Sequence, residues 1–195
     1  MRRGYPDPGW LTSSDHPSRA SVPTTGWWRR LGRIRHYTAM RYWLLKSEPD
    51  VYSIKDLQRD RTTLWHGVRN YQARNFLREM AVGDLALFYH SNAEPPGIAG
   101  VCAIRRPASP DPTQYERRSE FYDPRATPAA PRWFCPEVEF RESFDRLLPL
   151  DELRRAPALK EMVLLQRGSR LSVQPVSVKE WRFIERLARS SLRSA

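Results

Sequence analysis

Trp65, Arg69, Asn70 and Arg74 fall within the single run Trp65-His66-Gly67-Val68-Arg69-Asn70-Tyr71-Gln72-Ala73-Arg74-Asn75-Phe76. Few core-forming segments gather so many aromatic and hydrogen-bonding side chains at the start of a helix. A planar polar ligand such as a nucleobase requires that combination. Stacking a base on an aromatic ring contributes about 1–3 kcal/mol, and hydrogen bonds to the base edge add selectivity. Elsewhere in the chain, Lys46 and Ser47 follow a first strand, Tyr89, His90 and Ser91 end another, and Trp133 lies in a proline-rich stretch. Trp65 with Trp133 or Tyr89 would supply flat faces. Asn70, Ser47 and Ser91 would donate and accept at an edge, with His66 and His90 as hydrogen-bonding walls. Arg69 and Arg74 flank a helix N-terminus, itself an anion site, and would hold a phosphate bidentately. Lys46 offers the same charge without the fork.

Each of these residues also has a plainer reading. Trp65 fits a core position, Asn70 fits a helix cap, and Arg78 fits a solvated face. Trp43 and Trp181, on a strand and a helix stripe, read as core. Nor do the residues compose a catalytic set. His90 has no paired nucleophile or carboxylate at a motif spacing, and no group of side chains has metal-ligand spacing. Gly97-Ile98-Ala99-Gly100 lacks the lysine of a nucleotide-binding loop. No catalytic residue, metal or cofactor is therefore assigned.

The net charge of +11 and the pI near 10.2 favour a polyanionic partner. Residues 1–39 hold seven Arg and two Asp, which leaves +6 of that charge on the body. A basic but not extreme body is equally what a solvated surface shows. No apolar run approaches the length of a membrane-spanning helix. Cys102 and Cys135 sit in apolar surroundings and offer no disulfide framework, consistent with a reducing, cytoplasmic compartment.

The elements that must position these residues occupy 40–190. Residues 1–39, rich in Pro, Ser, Thr, Gly and Arg, read as a disordered extension, with Met40 an alternative start, and 191–195 as a tail. Arg41–Lys46 reads as a strand, and Ser53 caps a short helix to about Arg59. The next helix begins near Asn70 with an apolar stripe of Ala73, Phe76, Leu77 and Met80. Strands follow at 85–90 and 98–105, where Gly97 and Gly100 suggest a bulge or a close backbone approach. Residues 107–136, with seven prolines, form a long loop whose aromatics, including Phe121 and Trp133, argue that it packs. Val138–Arg141 alternates as a strand, 150–156 reads as helix, Leu171–Pro175 as strand, and Met162–Leu165 as either. Ser177 and Glu180 form a capping box ahead of the last helix, with Val176 and Trp181 at the staple positions.

Lys46-Ser47-Glu48-Pro49, the Trp65–Phe76 run, Phe88-Tyr89-His90-Ser91-Asn92, Gly97–Gly100, Tyr122-Asp123-Pro124 and Leu171–Pro175, in this order, resemble the EVE domain over about Arg41 to Leu187. The resemblance implies an α+β, PUA-like fold, a small mixed β-barrel with flanking helices, related to YTH and ASCH domains. It also implies a nucleic-acid partner, DNA or RNA, carrying a modified cytosine or adenine that is read in an aromatic pocket. Pro136 departs from the family pattern, which has an aliphatic strand residue there. Two other functions stay open. One is an ASCH-like ribonuclease or hydrolase using Lys46, Tyr89 and His90; the other is a protein-interaction domain with incidental charge.

Overall fold

The computed structural model describes residues 40–190; the readings of 1–39 as an extension and of 191–195 as a tail fall outside them. β1 (Tyr42–Ser47) is an interior strand one place in from an edge. It pairs in parallel with β3 (Leu85–His90) and antiparallel with β6 (Val173–Val176). β3 continues into β4 (Gly97–Pro110) and β4 into β5 (Phe134–Pro149), both antiparallel, and the short β2 (Thr62–Leu64) pairs with β5. The resulting sheet has the order β2-β5-β4-β3-β1-β6. It is an open six-stranded sheet, not the closed barrel expected from the sequence: β2 and β6 end it as edges instead of pairing with each other. The α+β class stands.

Helices cover both faces, so the central strands are buried on both sides. One face packs α1 (Ile54–Asp60) and α2 (Tyr71–Glu79) on Trp43, Leu45, Trp65, Phe88 and Cys102. The other packs α3 (Leu150–Arg154) and α4 (Val178–Ser190) on Leu44, Leu87, Tyr89, Ile98 and Val101. Local rules account for these helices. Ser53 and Asp56 close a capping box on α1. Asn70 Oδ1 accepts the Ala73 N–H, 3.0 Å, at the start of α2. Ala73, Leu77 and Met80 are buried, with Phe76 packed beside them. Ser177 and Glu180 exchange the reciprocal capping bonds of α4, and the staple residues Val176 and Trp181 are both buried. Trp43 is core as expected, its indole N–H donating to the buried Asp84, 3.0 Å.

β4 and β5 run further than the prolines suggested. Pro107 and Pro136 lie where the pairing shifts register, between Arg106–Glu137 and Ser109–Cys135. A proline costs no ladder bond at such an irregularity. Register also shifts between Ile98 and Gly100, where a Cβ on Gly100 would lie 2.3 Å from the Glu142 carbonyl oxygen. Met162–Leu165, ambiguous in sequence, contains a 3-10 turn at Val163–Leu165.

Candidate functional site: an aromatic cleft at the end of β1

A cleft of about 660 Å³ opens where β1 ends, within the ~300–1,000 Å³ range of small-ligand sites. Its floor and one wall come from the chain ahead of α2, with Trp65, His66 and Arg69 among the lining residues. Phe121 and Glu120 face them from the proline-rich segment. Ser47, Glu48, Val51 and Tyr52 close the side nearest β1, and Ser172 contributes from the chain entering β6. Trp65 shares its ring with the core, edge-on to Phe88 at a centroid distance of 5.4 Å, and is 7% exposed. It is therefore a core residue, as its plain reading has it, that also lines the cleft.

Phe121 is placed by a buried polar assembly. Asp111, buried, accepts from the Gly67 N–H (2.9 Å), an Arg69 guanidinium nitrogen (2.8 Å) and both the N–H and hydroxyl of Thr113 (2.9 and 2.6 Å). Burial pushes the Asp111 pKa up, but the bonds from Thr113, Arg69 and Gly67 outweigh it and hold the carboxyl below its ordinary value. Arg69 also donates from Nε to the Phe121 carbonyl, 2.8 Å, and from Nη2 to the Thr113 hydroxyl, 2.9 Å. Its guanidinium lies 5.5 Å from the Phe121 ring centre and 5.4 Å from that of Trp133. Gln114, also buried, ties the Asp111 and Trp133 carbonyls together and accepts from the N–H groups of Arg132 and Trp133. Asp123 receives the Trp133 indole N–H, 2.9 Å. Three buried polar side chains thus convert a proline-rich loop into a fixed wall.

Of the residues expected at the site, Lys46, Ser47, Trp65, His66 and Arg69 line the cleft; Asn70, Arg74, Tyr89, His90, Ser91 and Trp133 are not among its lining residues. The Ser47 hydroxyl donates to the Tyr52 carbonyl, 2.7 Å, and so shapes the turn beside the cleft. Burial lowers the Lys46 pKa, and its ammonium lies 5.8 Å from the Tyr89 ring centre. Arg69 has its donors committed to Asp111, Thr113, Val68 and Phe121, so in this arrangement it positions the wall instead of presenting a fork to phosphate. Trp133 is buried behind that wall and stacks on Tyr71 at 4.9 Å. Asn70 caps α2. Arg74 reaches the Arg132 carbonyl, 3.0 Å, and covers the Tyr71 ring at 4.8 Å.

Adjacent residues on a strand face opposite ways, and this separates Tyr89 from His90. Tyr89 belongs to the core under α4, while His90 meets Phe88 edge-on and accepts the Ile54 N–H at Nε2, 3.2 Å. Burial lowers the His90 pKa, in keeping with a neutral acceptor ring. Ser91 donates its N–H and hydroxyl to the Ser47 carbonyl, 2.8 and 3.3 Å, joining the ends of β1 and β3. Lys46, Tyr89 and His90 do not converge on one point as a hydrolytic set. Among the described residues, no group of His, Cys, Asp or Glu could hold a metal ion. No helix there is long and apolar enough to cross a membrane.

Phe121, Tyr52, Glu48 and Glu120 are cleft residues that the sequence alone did not single out. Only Phe121 carried a signal, as one of several aromatics in an otherwise proline-rich loop.

The EVE domain family model matches residues 41–187. Thymocyte nuclear protein 1 of Homo sapiens is 44% identical over 162 residues, covering 73% of this chain and 72% of the relative. A protein of Schizosaccharomyces pombe is 37% identical over 165 residues, covering 76% and 69%. Among solved structures, human THYN1 protein in complex with 5-methylcytosine-containing DNA is 43% identical, with a TM-score of 0.72 over 76% of this chain and 97% of that one. A protein of Pseudomonas syringae is 48% identical, with a TM-score of 0.74 over 75% and 99%. The match spans the sheet, the cleft and the helices that frame them, and the chain belongs to the EVE domain family.

Proposed function

We propose that this PUA-like domain is a non-catalytic reader that takes a modified base of DNA, a modified cytosine foremost, into the cleft lined by Trp65 and Phe121. The observation that carries the reading is the cleft itself. It has aromatic residues on several sides, in a chain 43% identical to one solved with 5-methylcytosine-containing DNA. Its chemistry suits that base. Phe121 supplies a face, and the carboxylates of Glu48 and Glu120 are acceptors of the kind that take a hydrogen from the exocyclic amine of cytosine. Aliphatic and aromatic lining gives a methyl group an apolar environment. An adenine or an RNA target would use the same stacking faces and forms the second reading.

Indole N–H signals in NMR test the assignment. The Trp43 and Trp133 indoles are committed to Asp84 and Asp123. Titration with an oligonucleotide containing 5-methylcytosine is expected to move the Trp65 signal and leave those two in place. Unchanged Trp65, with saturable binding elsewhere, would put the base outside the cleft.

A further inference from the structure

Large hydrophobic side chains at the surface are few among the described residues, and two of them line the cleft: Val51, 78% exposed, and Leu64, 42% exposed. Neither is loosely held. Val51 rides on a turn fixed by bonds from its own N–H and that of Tyr52 to the Glu48 carbonyl, 3.0 and 2.8 Å. Asn92 holds the Glu48 carboxylate, 2.7 Å, and Asp60 accepts the Tyr52 hydroxyl, 3.2 Å. Leu64 ends β2, and the next residue is pinned through the Trp65 N–H to the Pro136 carbonyl, 2.9 Å. The cleft therefore has a stiff aliphatic mouth in front of an aromatic interior.

The surroundings carry the opposite character. Arg117 and Arg118 precede the wall residues Glu120 and Phe121, and Arg167 and Arg170 precede the lining residue Ser172. All four are exposed, and none forms an ion pair among the described residues. Basic segments leading into the cleft from two stretches of the chain suit a phosphate backbone, whereas an aliphatic mouth suits the faces of bases. When a base leaves a duplex, its stacked neighbours lose a partner, and apolar side chains inserted at the step offset part of that loss. A single strand presents no such gap.

We propose that Val51, backed by Leu64, is a wedge that packs against the bases flanking the one in the cleft, so that the protein draws its base out of duplex DNA. This rests on the base-reading function above, and the experiment separates the two. Binding is measured for the parent, Val51→Ser and Phe121→Ala, each against two probes: a duplex with one central 5-methylcytosine paired to guanine, and the methylated strand alone. Val51 is mostly exposed, so its replacement leaves the fold intact. Val51→Ser is expected to weaken duplex binding by about tenfold or more and single-strand binding by less than about twofold. Phe121→Ala is expected to weaken both. Equal losses on the two probes for Val51→Ser, or no loss on the duplex, would overturn the wedge while leaving the cleft reading in place. A Phe121→Ala protein that binds both probes as the parent does would overturn the base reading, and the wedge with it.

Discussion

A Cβ on Gly67 would lie 2.9 Å from Cζ of Phe121. The turn ahead of α2 and the wall of the cleft are thus fitted to one another at a single backbone position. Gly67 also has φ of +83°, a region that L side chains rarely adopt. Gly67→Ala is therefore expected to lose about 1–3 kcal/mol of stability from backbone strain and, in the protein that remains folded, to weaken oligonucleotide binding by displacing the ring. Chemical denaturation gives the first quantity, and titration below the unfolding midpoint gives the second.

The Asp111–Arg69 pair should be the most sensitive point of the wall. Asp111→Asn leaves the Arg69 charge without its carboxylate beneath a buried segment, at a cost of about 3 kcal/mol. The folded carboxyl titrates below its ordinary 3.8. Its contribution is therefore complete above that value and is lost as pH falls through the lower folded pKa. Acid unfolding curves of the parent and of Asp111→Asn are expected to converge at the acid end, because the parent alone has this contribution to lose.

His90 gives a slope at milder pH. Its folded pKa is lowered from 6.5 by burial, and its Nε2 accepts the Ile54 N–H. Below pH 6.5 the unfolded chain takes up a proton that the folded chain resists. Stability thus falls as pH drops from 6.5 towards the folded pKa, then levels off. His90→Gln is expected to cost about 1 kcal/mol near neutral pH through the altered hydrogen bond and to flatten this part of the profile. Urea denaturation between pH 5 and 8 checks both.

Arg74 differs from Arg69 in that its donors go only to neutral oxygens, those of Arg132 and Asn75. A phosphate is the partner its charge lacks. Arg74→Ala is expected to weaken binding to methylated and plain oligonucleotides alike and to reduce the salt slope by about one. Titrations at several salt concentrations measure it.

What the sequence made legible was local. Asn70 as a cap, the Ala73–Leu77–Met80 stripe and the Ser177–Glu180 box depend on residues three or four apart, and the structure has all of them. The open sheet was not legible, because strand order joins distant segments: β1 pairs with β3 and β6 but not with β2. The wall of the cleft was missed for the same reason. Phe121 is placed by Arg69, 52 residues earlier in the chain, and the indole that looked available for a cage, that of Trp133, is spent on Asp123. Strand parity alone would have separated Tyr89 from His90, since neighbours cannot share a face.

The most direct measurement of the central claim is a comparison of Kd for matched oligonucleotides, one with 5-methylcytosine and one with cytosine, bound by the parent and by Phe121→Ala. Removing the ring leaves the backbone carbonyl that Arg69 holds, so the fold is retained. Loss of one stacking face is expected to weaken binding of the methylated probe by about tenfold and to shrink its advantage over the plain probe. An unchanged advantage and unchanged affinity in Phe121→Ala would contradict a base bound in this cleft.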